Sequence, residues 1–246
     1  MKLGNFGGLS GALADPETAR IVVLPVSYDA TVTFKKGTSR GPKAIIAASS
    51  ELEYYDEETD YEVYRLGIAT IPELSSSNPF PQDIIDKVEA TALAWLDRKK
   101  FIVMIGGEHL LSLGLIKAHA KETKNFSILH LDAHADLRAQ YRGTAYSNAC
   151  VMRRAYKYAP IVSVGIRSLS KEEAEFIQTE HIPTFYAYQV KYNLESTIEQ
   201  ILSYLKEKVY LTIDLDCFDC GQMPSVGTPE PGGLDWYEVL KIIKAV

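Results

Sequence analysis

The sequence predicts an α/β fold built around a mainly parallel sheet. Three observations carry that expectation. Strand-like and helix-like segments alternate from one end of the chain to the other, the order that a parallel sheet covered by helices imposes. Strand-like runs such as "RIVVLPV" (20–26) are continuously apolar and β-branched, as strands buried on both faces are. Three of the runs end in aspartate or histidine, at the edge where open parallel sheets bind their ligands. The pattern alone does not choose between an open doubly wound sheet and a closed barrel.

Taken in order, the run at 20–26 is the first strand. Gly41-Pro42 then opens a helix with Pro42 in its first turn, where a missing N–H costs nothing. "EVYRLGIA" (62–69) reads as a strand and "SSSNPFPQD" (75–83) as a turn-rich loop. An amphipathic helix follows, with Ile84, Ile85, Val88, Ala92, Leu93 and Trp95 at helical spacing. "KFIVMIGG" (100–107) is a strand and "HLLSLGLIKAHA" (109–120) a helix. "FSILHLD" (126–132) and "PIVSVGIRS" (160–168) are strands, and "SKEEAEFIQ" (170–178) is a helix capped by Ser170 with an acidic first turn. "PTFYAY" (183–188) is a short strand, 194–206 a helix and "KVYLTIDLD" (208–216) the last strand. "LDWYEVLKIIKAV" (234–246) begins a helix with Asp235 as its cap. With neither repeat nor linker in view, a single domain over 1–246 is expected.

Apolar residues make up 46% of the 246, enough for a large core. Lys+Arg number 26 against 32 Asp+Glu, a net charge of −6 with no long basic block. Nucleic acid and anionic membrane surfaces are therefore poor partners, and an acidic chain accepts a cationic small molecule more readily. No apolar run approaches the roughly 20 residues of a membrane span, and "MKLGNFGGLSG" lacks the apolar core of a signal peptide. The expected location is cytoplasmic. Three cysteines make no disulfide framework; Cys217 and Cys220 read as reduced structural thiols. The glycines form no dinucleotide or phosphate loop.

The strand ends carry the chemistry. "GGEH" delivers His109, "DAHAD" delivers Asp132, His134 and Asp136, and "DLD" delivers Asp214 and Asp216. Alternate positions of an extended segment point the same way, so 132/134/136 are expected to converge, and 214/216 likewise. Gly106 and Gly107 are expected to give a tight turn before His109. Four carboxylates and two imidazoles gathered at one edge would repel as free ions. Two divalent cations resolve this. Hard oxygen donors with some imidazole suit Mn²⁺, with Fe²⁺, Co²⁺ or Zn²⁺ as substitutes. Two metals about 3.5–4 Å apart share a hydroxide that is a strong nucleophile at neutral pH. The reaction class is metal-assisted hydrolysis. His119, His130 and His181 read as structural or solvated.

These motifs, with "LPVSYDATVTFKKGTSRGPKAI" (24–45), "YSNACVMRR" (146–154), "VGIRS" (164–168) and "GTPEPGGL" (227–234), make the chain resemble the ureohydrolases of the arginase/agmatinase family, agmatinases above all. The resemblance implies a three-layer α/β/α fold, two manganese ions per subunit, and hydrolysis of a guanidino compound of the agmatine or aminopropylagmatine kind to urea and an amine. It places this chemistry in polyamine biosynthesis. It also implies association into trimers or hexamers. In the family's pattern Asp132 and Asp214 match bridging carboxylates. His109 and Asp136 match the ligands of one metal, His134 and Asp216 those of the other. Asp136 also matches the group that passes a proton to the departing amine, and Thr228 falls in the substrate-side loop.

Two features depart from that pattern. Asn148 stands where the family carries a catalytic histidine that aids substrate binding or proton shuttling, and an amide does not titrate. The chain also ends before the family's C-terminal strand and tail, which carry a glutamate for the guanidinium; a permanent gap there would expose unpaired backbone groups, and both a truncated, disordered or mis-started chain and a divergent chain whose sheet closes differently remain open. Both departures spare the metal ligands, and together they predict a chain that binds metal but is impaired in ureohydrolysis. Two alternatives stay open: a non-catalytic metal-binding homologue or subunit, and a hydrolase of the same fold acting on another C–N bond, formimino or amide.

Overall fold

The computed structural model describes residues 4–78 and 80–246. Two compact units divide the chain. The first holds the described residues up to Ala30 together with Lys36–Glu122, the second Thr31–Lys35 and Thr123–Val246.

In the first unit the apolar run at 20–26 becomes β1 (Ile21–Ser27), buried along its middle. Its neighbours are β2 (Ile68–Thr70) and β3 (Leu74–Ser75) on one edge and β4 (Phe101–Gly106) on the other, all parallel to it. A proline inside a central strand normally breaks a ladder. Pro25 escapes that penalty by its register. Val23 turns its carbonyl toward Ile71, so Pro25, two residues on, faces the same side. There the pairing with β2 has ended at Thr70 and that with β3 resumes only at Leu74.

Three helices belong to this unit: α1 (Gly41–Ala48) and α2 (Pro81–Leu96), each with a proline in its first turn, and α3 (Ser112–Glu122). Helix α3 packs against α2 through Gly114, where a Cβ would lie 2.6 Å from the Ile85 carbonyl oxygen. Beside this seam the buried Glu89 of α2 is paired with Lys117 and Lys121 of α3. Two sequence expectations fail here. Residues 62–69 are not one strand: Val63–Leu66 form a 3₁₀ turn and Gly67, at φ 74°, redirects the chain before β2. The first turn after Gly107 is likewise 3₁₀ (His109–Leu111), and α3 starts only at Ser112.

In the second unit β5 (Phe126–Leu131) lies between β6 (Ile161–Ile166) and β8 (Lys208–Ile213), with β7 (Thr184–Tyr186) outside β6, again all parallel. Every residue of β5 and β6 is buried, which explains their mostly apolar sequences, interrupted only by the buried Ser127, His130 and Ser163. Leu129 and Leu131 of β5 meet Val162 and Val164 of β6 and, from the helices, Val190, Ile201, Val239 and Ile242. Full burial of each such side chain contributes about 1.5–3 kcal/mol.

The helices are α4 (Val151–Ala155), α5 (Lys171–Thr179), α6 (Ala187–Tyr192), α7 (Leu194–Tyr204) and α8 (Trp236–Ala245). Ser170 with Glu173 and Asp235 with Glu238 form capping boxes at α5 and α8, as the S-x-x-E and D-x-x-E spacings announce. The run 183–188 splits into β7 and the start of α6, a helix that its sequence pattern had not revealed.

No described strand pairs the outer edge of β4, which leaves Phe101 69% exposed, and none pairs the outer edge of β8, where Leu211 and Ile213 are exposed. No helix among the described residues is long and apolar enough to cross a membrane. The three cysteines are free thiols.

Gly114→Leu should destabilise the protein by about 1–3 kcal/mol through overpacking, because the obstructing atom is backbone. A fall in the urea midpoint with unchanged m-value would register it.

Candidate metal centre

The site in the second unit gathers where β5 and β8 end. Beyond Leu131 the chain leaves the strand at Asp132, which is 1% exposed. Its two oxygens serve different neighbours. Oδ2 lies 3.0 Å from His130 Nε2, and Oδ1 accepts the His134 amide at 2.6 Å. The ionised carboxylate accepts at His130 Nε2, and the ring's Nδ1 lies 3.1 Å from Ser163 Oγ of β6.

Potential ligand atoms of Asp132, His134 and Asp216 lie within 4.8 Å of one another, and so do those of His130, Asp132 and Asp136. Asp132 belongs to both groups. His134 Nδ1 is 3.1 Å from Asp216 Oδ2, and its Nε2 is 3.8 Å from Glu230 Oε1. Thr228 Oγ1 donates to Asp216 Oδ2 at 3.3 Å, so the predicted substrate-side threonine touches the cluster.

The convergence arises differently from the alternation expected. Within "DAHAD" the chain bends at Ala133, and His134 makes an isolated parallel bridge with Ser168. Asp136 adopts φ 53°, the left-handed region, which a non-glycine residue occupies at a cost and mostly at functional turns. Its carbonyl accepts the amides of Met152 and Arg153 at the start of α4, and the next amide, Leu137, donates to buried Glu173 Oε1 at 3.0 Å. Asp214 and Asp216 are likewise not successive same-side strand positions. Asp214 caps a 3₁₀ turn (Leu215–Cys217) and accepts the Asp216 amide at 3.1 Å, which sends Asp216 into the buried cluster. Among the described residues Asp214 joins neither group within that radius.

The remaining predicted residues are placed as follows. His109 lies in the first unit, buried at the start of the 3₁₀ turn after β4. Of the two glycines before it, Gly107 is required by close backbone approach rather than by positive φ, while Gly106 sits against a side chain that can move. A Cβ on Gly107 would meet the Tyr28 carbonyl oxygen at 2.4 Å, and one on Gly106 would meet Leu111 Cδ1 at 2.9 Å. Asn148 opens the 3₁₀ turn Asn148–Cys150, half-buried. Sequence reasoning missed Glu173 and Glu230, and it treated His130 as remote from the chemistry. One signal was available for His130, since it sits two residues before Asp132 on the same alternation.

The electrostatics describe a field built for cations. Burial opposes charge on His134, but hydrogen bonds to Asp132 and Asp216 and their negative charge outweigh it and hold the imidazole protonated well above its usual range. Burial and then the charge of Asp132 raise Asp216, with His134 pulling the other way. Cys217, buried beside Asp132, Asp214 and Asp216, is pushed far up and stays a thiol. A buried Asp216 raised by burial and by the charge of Asp132 beside it, with the His134 imidazole between them, belongs to a donor set that fits hard divalent metals.

The fold and this cluster define a class: a parallel α/β protein with an aspartate–histidine centre at its strand ends. Comparison with known proteins narrows it. The model of the arginase family matches residues 19–246. The N(1)-aminopropylagmatine ureohydrolase of Synechocystis sp. is 39% identical over 242 residues, covering 96% of this chain and 79% of that protein. The agmatinase of Pyrococcus horikoshii is 31% identical, covering 94% and 80%. The crystal structure of the agmatine ureohydrolase of Thermoplasma volcanium superposes with a TM-score of 0.89 at 30% identity, covering 100% of this chain and 83% of that one. The chain belongs to the arginase family and is a hydrolase of the ureohydrolase type. Its arginase-like α/β/α fold is shared with the arginase of Bacillus cereus, at a TM-score of 0.77.

Glu173→Gln tests the support beneath Asp136. It places an NH₂ against either the Leu137 amide or the Ser170 amide and hydroxyl, all of which the carboxylate now accepts. A loss of about 1–3 kcal/mol of folding stability is expected, read from chemical denaturation of the metal-free protein.

Proposed function

We propose that the chain is a two-manganese ureohydrolase that cleaves a small cationic guanidine, agmatine or its aminopropyl derivative, to urea and an amine. The observation that carries this reading is the double membership of Asp132 in both donor groups, the arrangement a bridging carboxylate needs. The relatives support the substrate class: those of Synechocystis sp. and Thermus thermophilus, 39% and 35% identical, are named for aminopropylagmatine, and that of Pyrococcus horikoshii, 31% identical, is an agmatinase.

In this reading His109, Asp132, His134, Asp136, Asp214 and Asp216 would supply the donors for the metal pair, with Asp132 shared between the donor groups. When bound, the metal pair supplies Lewis acidity and lowers the pKa of water at neutral pH. The protein's own groups do the rest. The carboxylates fix where positive charge sits, and Thr228, hydrogen-bonded to Asp216, faces the substrate from its loop. Asp136 passes a proton to the departing amine, which leaves protonated. Asn148, an amide that cannot titrate, provides a hydrogen bond where a shuttle would otherwise stand. The protein acts as a homo-oligomer, a trimer or hexamer, in the cytoplasm.

Two measurements test this. Protein loaded with Mn²⁺ should release urea from agmatine or aminopropylagmatine, and Asp132→Asn should abolish metal binding at both positions together, seen by calorimetry. Metal binding without release of urea from either guanidine would favour the non-catalytic alternative. Asn148→His should raise kcat by about 10-fold or more, in line with the value of a positioned general acid–base group; an unchanged kcat would show that Asn148 does not limit the reaction.

A further inference from the structure

We propose that Arg167 is a positioning residue that clamps the Asp216 turn and the Thr228–Gly233 loop in register with "DAHAD", so that the His134–Asp216 metal position depends on it; this rests on the two-metal reading above. Arg167 follows β6 directly and is partly buried. Its guanidinium points at main chain. Nη2 donates to the Asp216 carbonyl at 2.7 Å, to Glu230 at 2.8 Å and to Phe218 at 3.3 Å. Nε donates to the Pro231 carbonyl at 3.0 Å, and Nη1 to Gly165 at 3.2 Å and Cys217 at 3.5 Å. The backbone amide of the same residue donates to the Ala133 carbonyl at 2.8 Å, between Asp132 and His134. One residue therefore ties together three separate segments of the cluster.

The clamp is closed from the opposite side. Asp219 Oδ2 accepts the amides of Gly232 and Gly233 at 3.0 and 3.1 Å, while Arg167 holds the carbonyls of the two residues before them. The Asp216 carboxylate faces His134 and the Thr228 hydroxyl, and the carbonyl of the same residue is held by Arg167. A planar fork with five donors suits this task, and a lysine ammonium, a point donor, cannot span the same carbonyls. Asp136 lies outside the clamp. It is held by α4 and, through the next amide, by Glu173.

The test compares wild type with Arg167→Lys, which keeps the charge and loses the fork, and Arg167→Gln, which keeps a planar donor. Mn²⁺ binding is measured calorimetrically on the full chain, the electron spin resonance of the bound Mn²⁺ reports magnetic coupling between ions, and urea release gives kcat and KM. In both variants one Mn²⁺ should bind with wild-type affinity and the second 10–100-fold more weakly, the usual cost of losing a ligand's outer partner. The coupled signal should disappear at Mn²⁺ concentrations that saturate wild type, and kcat should be restored by excess Mn²⁺. Affinities that stay equal to wild type at both positions, or that fall alike at both, would overturn the assignment. So would failure of both variants to fold, judged by circular dichroism of the metal-free protein. A wild type that binds no second Mn²⁺ and releases no urea would instead overturn the two-metal reading itself.

Discussion

The carboxylate of Asp132 is the constraint around which the second unit is organised. Almost wholly buried, it lies between His130 on one side and His134 on the other, and its charge raises Asp216 across the cluster. A buried carboxylate pressed against a second one costs several kcal/mol unless something of opposite charge is supplied. A protonated His134 supplies it in the metal-free state, and a cation among the same atoms would replace that proton. Much of the surrounding structure keeps these like charges together long enough to be useful.

The parallel sheet makes that possible. Strands β5 and β6 are buried throughout, so their carbonyl ends project from a rigid base. The register of β5 on β6 sets His130 opposite Ser163, whose hydroxyl orients the imidazole toward Asp132. From there irregular backbone takes over: a left-handed Asp136, a 3₁₀ turn after Asp214 and a loop pinned by Arg167 and Asp219. Regular structure provides stability, and the departures from it aim the side chains of the cluster.

That division explains what could be read in the sequence. The buried strands announced themselves as largely apolar β-branched runs, and the helix starts at Ser170 and Asp235 followed from those residues as caps, with the acidic first turn after Ser170. The aspartate–histidine motifs were legible because carboxylates and histidines rarely follow a buried strand without a reason. Their geometry was not. Alternation assumes that the strand continues, and nothing in "DAHAD" or "DLDC" marks where extended backbone gives way to a turn. The misread strand at 62–69 has the same cause, since Gly67 breaks the run from within. Arg167 was hidden for another reason. Its partners are carbonyls, which every residue possesses, so no sequence pattern encodes them.

The choice of those partners has a consequence for the electrostatics. An arginine paired directly with Asp216 would stabilise the apo cluster but would also neutralise the charge a metal needs and occupy the oxygens that bind it. Here the anions are supported instead by main-chain amides: His134 on Asp132, Ala133 on Asp216, and Asp216 on Asp214. An amide stabilises a carboxylate without adding a net positive charge, so the field at the strand ends stays negative. The guanidinium is placed behind the peptide of Asp216, where its fork fixes the backbone while the carboxylate faces His134. Main-chain dipoles thus hold the cluster while the protonated His134 offsets part of its charge, and a cation bound among the same atoms would take over that proton's part.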